Sequence, residues 1–180
     1  MLLQNRIFSG SSLRQELKQG KLTDSEATEV AAIAMKTFLE QASKPIPKEY
    51  SFPHITDWLR VLRYPSSDYF ERKSVFPKKL LERSEALLPD LLQSLDDAIL
   101  LHGDLHHDNI VAHNNGWMVI DPKGILGEAS YEVGAFLRNP HELVHASDLK
   151  SIMHRRIEIF REVLGPVSYT HLTLPTILRV

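Results

Sequence analysis

The sequence predicts an α+β fold that is mostly helical and contains one small β-hairpin. Apolar residues recur at helical spacing over several segments, as they do in amphipathic helices. Asn115 and Gly116 lie between two short apolar runs, and this dipeptide favours the positive φ angles of a tight hairpin turn. The chain has 180 residues, of which 43% are hydrophobic and 24% charged, as is ordinary for one globular domain.

Spacing and end signals predict six helices and two further strands. The helices are expected over residues 12–19, 24–42, 56–64, 77–95, 130–138 and 148–164. The strands are expected over Leu2–Phe8 and residues 98–101. Thr23 and Glu26 have the spacing of a capping box, which marks the start of the second helix. Pro89 should bend or interrupt the fourth, because proline has no backbone N–H. The large aromatic residues expected in the core are Trp58, Trp117 and Phe136.

The hairpin should bring three oxygen-bearing side chains together. Its strands are predicted over residues 109–112 and 117–120. Asp104 then lies in the loop before the hairpin, Asn109 at its entrance and Asp121 at its exit. The entrance and exit of a hairpin are neighbours in space, because its two strands lie side by side. The sequence therefore predicts that these three side chains meet at one end of the hairpin.

These side chains are the set that magnesium-dependent phosphoryl transfer requires. Asp104 is predicted to be the general base, which accepts a proton from the attacking hydroxyl group. Asn109 and Asp121 are predicted to hold Mg²⁺ on the phosphates of a nucleotide, since this ion prefers few protein oxygens plus phosphate and water. Taken singly, each residue has an ordinary explanation, such as a loop cap or a turn residue. The hypothesis depends on the spacing that brings all three residues to the same end of the hairpin.

Three neighbours are candidates for supporting the catalytic loop. His102 is predicted to pack beneath the loop and to bond its backbone. Asp108 could pin the loop or approach the metal, and both alternatives stay open. Glu132 lies at the start of a predicted helix, where carboxylates are favoured in any case. It could also accept backbone N–H groups of the loop or bind a cationic substrate.

Two side chains are candidates for contact with the nucleotide. His106 is predicted, with His107, to line the cleft or to bond groups near the phosphates. Lys123 could face the phosphates or the substrate, and an ordinary solvated position is an equal alternative. The same histidines with His102 allow a second hypothesis, a metal-dependent hydrolase with a histidine-ligated ion. No distant histidine is clearly paired with this loop, so we favour phosphoryl transfer.

The segment from His102 to Ile110 resembles the catalytic loop of the aminoglycoside phosphotransferases, which are relatives of the protein kinases. The elements Asp121-Pro122-Lys123-Gly124 and Leu137-Arg138-Asn139-Pro140 make the resemblance greatest to the streptomycin 6-kinase or hydroxyurea phosphotransferase branch. The resemblance is close over residues 98–140. Elsewhere it extends only to the pattern of helices.

The resemblance implies a protein-kinase-like C-terminal lobe with its catalytic loop and hairpin in residues 98–124. It implies ATP as co-substrate, although the residues themselves do not distinguish ATP from GTP. The acceptor would be a hydroxyl of a small, cationic molecule such as streptomycin, and the outcome antibiotic inactivation. It also implies Asp104 as base, Asn109 and Asp121 as Mg²⁺ ligands, and Glu132 as the carboxylate that braces the loop.

The sequence departs from the family in its first residues. Related kinases carry an N-terminal lobe with a glycine-rich strand pair and a strand lysine. This sequence has no such glycine-rich loop, and Leu2–Phe8 resembles the strand that joins the two lobes. We therefore expect residues 1–166 to be a C-terminal lobe with the N-terminal lobe absent, and the chain alone to have little or no kinase activity. A non-catalytic kinase-like binding fragment is the alternative.

Residues 167–180 are expected to be a non-native tail. The string Val-Ser-Tyr-Thr-His-Leu-Thr-Leu-Pro-Thr over residues 167–176 matches a translation of the transposase adapter used in sequencing libraries. We therefore leave this segment out of the expected fold.

The composition argues against several classes of protein. A net charge of −2 gives no reason to expect a nucleic-acid or membrane partner, and the absence of cysteine excludes disulfides and thiolate zinc sites. No apolar run approaches the ~20 residues that span a bilayer, and no signal-peptide pattern opens the sequence. The expected location is therefore the cytoplasm.

Overall fold

The computed structural model describes residues 10–42, 46, 49–63, 78–92, 98–114, 116–142 and 146–165. Its helices are α1 (Leu13–Lys18), α2 (Asp24–Ala42), α3 (Ile55–Arg63), α4 (Lys78–Leu92), α5 (Tyr131–Leu137) and α6 (Leu149–Leu164). Its strands are β1 (Ile99–Leu101), β2 (Ile110–His113), β3 (Gly116–Val119) and β4 (Ile125–Gly127). The predicted α+β class and all six helices are confirmed. The strand expected over residues 2–8 and the tail over residues 167–180 lie outside the described residues.

The strands form two antiparallel pairs. The hairpin joins β2 to β3, with Ile110 opposite Val119. The expectation that Gly116 lies in the turn with a positive φ is wrong, because Gly116 pairs with His113 as the first residue of β3, and Asn114 has the positive φ, at 52°. The strand that was expected to begin at Asn109 begins one residue later, because residues 107–109 form a 3₁₀ turn. The second pair joins β1 to β4, with Leu101 opposite Ile125. Strand β4 was not predicted, since its partner lies far away in the sequence and three residues give little local pattern.

Capping boxes begin the first two helices. At α2, the backbone N–H of Thr23 donates to the Glu26 carboxylate at 2.7 Å, and the Glu26 N–H donates to the Thr23 hydroxyl at 3.3 Å. Ser12 and Gln15 make the same reciprocal pair at α1. Each box satisfies two backbone or side-chain groups that a helix end would otherwise leave to water. The predicted start of α2 is therefore confirmed in its detail.

The core lies between α2, α6 and the strands that carry the loop after β1. Helix α2 packs along α6 and also contacts β1 and β3. Buried residues of this core include Ala31, Met35, Leu105, Phe136 and Phe160. No helix in the described part of the chain has both the length and the apolar character needed to cross a bilayer.

The expectation that Trp58 belongs to the core is wrong, because its side chain is 41% exposed. Helix α3 buries Ile55 and packs Leu59 against the core, and Trp58 lies beside that face. Phe136 is fully buried, and Trp117 is partly buried against the core, as expected.

A buried ion pair fastens three helices to one another. The Arg156 side chain on α6 is fully buried and donates to Asp24, the first residue of α2, at 2.5 Å. It also donates to the carbonyl oxygens of Phe136 at 3.3 Å and Asn139 at 2.7 Å, at the end of α5. Burial alone would raise the pKa of Asp24, but the hydrogen bonds and charge of Arg156 outweigh it and hold that pKa below 3.8.

Asp24→Asn is expected to lower the free energy of unfolding by about 3 kcal/mol, because the Arg156 guanidinium stays buried without its counter-charge. Urea denaturation at pH 7 measures this change. Asp148→Asn makes the same substitution at the exposed start of α6 and should change stability by less than about 0.5 kcal/mol. Equal small effects of the two variants would show that the buried pair is not what holds these helices together.

Candidate active site

The loop between β1 and β2 is anchored by one buried carboxylate. Glu132, in the first turn of α5, accepts the backbone N–H of His102 at 2.7 Å and that of Gly103 at 2.9 Å. Burial raises the pKa of Glu132 to about 7, while hydrogen bonds from Gly103, His102 and Leu105 oppose the rise. The carboxylate therefore fixes the turn that precedes Asp104. A predicted alternative, that Glu132 binds a cationic substrate, does not suit a side chain with no exposed surface.

His102 connects this loop to the far end of the hairpin. Its Nε2 lies 2.8 Å from the Ile120 carbonyl oxygen, and its Nδ1 accepts the Asp104 N–H at 3.3 Å. These two bonds select the tautomer with the proton on Nε2. The His102 carbonyl oxygen in turn accepts the N–H groups of Lys123 at 2.8 Å and Gly124 at 3.3 Å. Burial lowers the pKa of His102, so the ring serves as a neutral connector.

Gly103 allows the loop to lie directly against β4. Its φ is +82°, in the left-handed region, and a Cβ placed there would lie 2.8 Å from Cγ2 of Ile125. Any other residue would therefore combine backbone strain with steric overlap. The glycine before Asp104 is thus required by packing.

Asp104 and Asn109 are bonded to each other across the loop. The Asn109 amide nitrogen Nδ2 donates to the Asp104 carbonyl oxygen at 2.8 Å, which leaves Oδ1 of the amide as an acceptor. The Asn109 side chain is buried in the 3₁₀ turn, whereas the Asp104 carboxylate is 31% exposed. The Ile120 N–H donates to the Asn109 carbonyl oxygen at 3.0 Å. This bond brings Asn109 beside Asp121, which follows Ile120 in the chain.

Asp121 and Lys123 lie at the exit of the hairpin. Asp121 has a φ of 57°, an unusual conformation for a residue other than glycine, although aspartate tolerates it better than most. Lys123 Nζ lies 3.2 Å from Oδ2 of Asp121 and 3.9 Å from Oδ2 of Asp104. The ammonium group therefore lies between the two carboxylates. That Lys123 faces the phosphates or the substrate stays a prediction.

The opposite side of the loop is tied to α1. His106 Nδ1 accepts the Asp108 N–H at 3.2 Å, and its Nε2 lies 3.8 Å from Oδ1 of Asp104. The Asp108 carboxylate accepts from Arg14 at 3.1 Å, and Arg14 also pairs with Glu142 at 2.5 Å. Of the two roles left open for Asp108, pinning the loop fits these contacts. The sequence did not predict the contacts of Arg14 and Glu142, because Arg14 lies 94 residues from Asp108.

His107 departs from its expected position in the cleft. Its side chain is 1% exposed and stacks on the Phe136 ring, with centroids 3.9 Å apart. Neither ring nitrogen has a hydrogen-bond partner within the part of the chain that the structure describes. Burial, followed by the charge of Arg156, lowers the pKa of His107 to about 3. The expectation that His107 lines the cleft is therefore wrong, because its neighbour Asp108 turns outward to α1 and His107 inward to α5.

The donor set suits magnesium better than zinc. Among the described residues, no three histidine, aspartate or glutamate side chains converge as metal ligands. His102 and His107 are buried in different surroundings, so the histidine-ligated hydrolase centre has no support from the arrangement. The predicted ligands, the Asp121 carboxylate and the Asn109 amide oxygen, would leave coordination positions for water and phosphate oxygens, as Mg²⁺ prefers.

The fold and this site define a kinase-like α+β protein, and comparison with solved structures agrees on the fold. A structure described as glucosamine kinase (crystal form B) aligns with 88% of this chain and 48% of its own, with a TM-score of 0.50 and 16% sequence identity. The chain thus spans about half the length of that kinase. At this identity the comparison establishes the fold alone.

Residues 1–168 match the model of the aminoglycoside/hydroxyurea antibiotic resistance kinase family, and the chain belongs to that family. It is 41% identical over 51 residues to streptomycin 3''-kinase of Klebsiella pneumoniae, which is 28% of this chain and 19% of that protein. It is 30% identical over 67 residues to streptomycin 6-kinase of Streptomyces griseus, which is 36% of this chain and 22% of that protein. The resemblance to the aminoglycoside phosphotransferases is confirmed.

Glu132→Gln should change how stability depends on pH. The pKa of Glu132 rises from 4.5 to about 7 on folding, so the folded chain holds the extra proton between these values. The free energy of unfolding should therefore fall by up to about 3 kcal/mol as the pH rises from 4.5 to 7, relative to the variant. Urea unfolding at a series of pH values measures the difference. Glu29→Gln, at an exposed position of α2, should leave the wild-type curve unchanged; an identical curve for Glu132→Gln would contradict the expectation.

His107→Phe should stabilise the chain. The substitution keeps the ring stack on Phe136 and removes two buried nitrogens that have no partner among the described residues, which is worth about 1 kcal/mol at pH 7. Unfolded chains protonate His107 below pH 6.5 whereas the folded chain does not until about pH 3, so the gain should grow as the pH falls from 6.5. Denaturant melts at pH 7 and pH 5 test this, with His154→Phe at an exposed position as control. A gain that is the same at both pH values would count against a buried neutral histidine.

Proposed function

We propose that the protein carrying this chain transfers the γ-phosphate of ATP to a hydroxyl group of a small molecule, with an aminoglycoside such as streptomycin as acceptor. Membership of a kinase family supports the reaction class, and the names of the two streptomycin kinases support the acceptor class. The observation that supports the proposal is a set of contacts at the end of the hairpin. Asp104 and Asp121 both lie within 4 Å of the Lys123 ammonium, and Asn109 is bonded to Asp104 and to Ile120, the residue before Asp121.

Asp104 acts as the general base in this proposal. Its carboxylate accepts the proton of the acceptor hydroxyl while the new bond forms between that oxygen and the γ-phosphorus. The bond from the γ-phosphorus to the bridging oxygen breaks, and the electron pair stays on that oxygen in the departing ADP. Its partial exposure, 31%, leaves the carboxylate open to a substrate.

Asn109 and Asp121 would hold Mg²⁺ through the amide Oδ1 and the carboxylate. The bound ion supplies charge neutralisation at the β- and γ-phosphates. His106, 3.8 Å from Asp104, and Lys123, 3.9 Å from it, would contact the phosphates in this proposal. These roles fit a site whose protein contribution is orientation and electrostatic stabilisation.

Glu132, His102 and Asp108 are positioning residues in this scheme. Each bonds the loop to a different element, respectively α5, the end of β3 and α1. The base therefore has little freedom to move relative to the metal ligands. Such rigidity matters because a displacement of about 1 Å at a reacting group can cost a factor of a hundred in rate.

The described residues represent the C-terminal lobe of a two-lobed kinase in this proposal. The chain spans about half the length of the solved kinase it resembles. By itself it would offer a nucleotide one wall of a cleft, and we expect slow or no phosphoryl transfer from the 180-residue chain alone. That residues 167–180 are a non-native tail stays a prediction.

Asp104→Asn should lower kcat by about a thousandfold and leave the affinity for the nucleotide unchanged, since the amide cannot accept the proton but keeps the shape. The assay uses protein from the longest reading frame that contains this chain. It follows transfer of labelled γ-phosphate from ATP to streptomycin and to hydroxyurea, and calorimetry measures nucleotide binding. Asp148→Asn serves as control. Turnover that survives Asp104→Asn would dismiss this residue as the base, and transfer to neither acceptor would dismiss the proposed substrates.

A further inference from the structure

We infer that Lys123 is an internal counter-ion, which occupies the space between Asp104 and Asp121 and disfavours a bare divalent cation there, and which turns to the phosphates when a metal–nucleotide complex binds. The inference rests on the proposed function. It explains why a lysine lies beside the two carboxylates. It also predicts that the site binds a metal–nucleotide complex in preference to a bare metal ion.

The contacts of the ammonium group are the first step. Lys123 Nζ is 3.2 Å from Oδ2 of Asp121, a hydrogen bond, and 3.9 Å from Oδ2 of Asp104. Two carboxylates that face the same space repel each other, and a cation between them relieves the repulsion. Asp121 is the only carboxylate in the proposed ligand set. In the free chain, Lys123 donates a hydrogen bond to its Oδ2.

The root of the Lys123 side chain is fixed, whereas its end is exposed. Its backbone N–H and that of Gly124 both donate to the His102 carbonyl oxygen. The Lys123 Cβ lies 3.5 Å from where a Cβ on Gly103 would lie, so the main chain packs directly on the loop. The side chain itself is 43% exposed. The ammonium can therefore leave Asp121 without any movement of the main chain.

The local backbone conformation directs the lysine back toward Asp121. Asp121 at φ 57° and Gly124 at φ 68° are both left-handed, and Lys123 lies between them. A non-glycine residue in that region costs conformational energy, which the surrounding structure must balance. A role for this conformation would be to keep the Lys123 ammonium close to the Asp121 carboxylate.

Competition follows from this arrangement. An ammonium bonded to Oδ2 of Asp121 partly neutralises that carboxylate and repels a divalent cation at either of its oxygens, so a cation binds more tightly when Lys123 turns away. A bare ion leaves the displaced ammonium with water alone, whereas a metal–nucleotide complex offers it phosphate oxygens. Lys123 should therefore weaken binding of the bare ion and strengthen binding of the complex. A lysine that only stabilises the turn, in contrast, would change neither.

The first experiment titrates Mn²⁺ alone, as the probe, into the 180-residue chain and its variants. Lys123→Met should bind Mn²⁺ about two- to fivefold more tightly than wild type, the scale of one exposed ion pair. Lys123→Arg, which keeps the charge, and Lys150→Met, which removes an exposed lysine from α6, should both bind like wild type. Thermal melts verify that each variant folds.

Asp121→Asn separates this inference from the proposed function. If Asp121→Asn weakens Mn²⁺ binding and Lys123→Met does not strengthen it, the inference about Lys123 is overturned and the metal site stands. If Asp121→Asn binds Mn²⁺ like wild type, the proposed ligand set itself is wrong and the inference falls with it.

The second experiment tests whether Lys123 contacts the phosphates of the bound nucleotide. It uses protein from the longest reading frame that contains this chain. Lys123→Met should raise KM for the Mg²⁺–ATP complex several-fold, while Lys123→Arg should keep it near the wild-type value. The opposite signs for the bare ion and for the complex distinguish a counter-ion from a lysine that merely stabilises the turn. A KM unchanged in Lys123→Met would overturn the transfer to the phosphates.

Discussion

The carboxylate of Glu132 is the interaction on which the rest of the site depends. A charged group with no exposed surface is costly, and here backbone N–H groups of His102 and Gly103 offset the cost. Because those donors belong to the two residues before Asp104, the position of the proposed base is set by α5. The cost of burial is visible in the raised pKa of Glu132, so the strength of this anchor depends on pH.

From this anchor the order of the site propagates through backbone atoms. The His102 carbonyl oxygen fixes Lys123 and Gly124, and its ring fixes Ile120 at the end of the hairpin. The hairpin then fixes Asn109 through the Ile120 N–H. Main-chain bonds are insensitive to side-chain identity, so the framework tolerates change in the groups it presents. Gly103, where only glycine fits against Ile125, and the ring of His102 are the exceptions.

Features with a local cause could be predicted from the sequence. The capping box at Thr23 and the register of Asp104 with Asn109 each depend on residues within about five positions, where spacing determines geometry. Features with distant partners could not. Asp24 and Arg156 are 132 residues apart, and β4 is recognisable only beside β1. His107 could not be predicted either, although it lies within the catalytic loop, because its position depends on packing against the distant residue Phe136.

The balance of charge at the site affects which form of the nucleotide can bind. Two carboxylates, Asp104 and Asp121, face one ammonium, while Asp108 is already paired with Arg14. A polyphosphate approaching such a site meets net repulsion unless a divalent cation accompanies it. The same excess of negative charge attracts a cationic acceptor. On the proposed function, the nucleotide must therefore arrive with its metal, and the acceptor is drawn by the carboxylate that will take its proton.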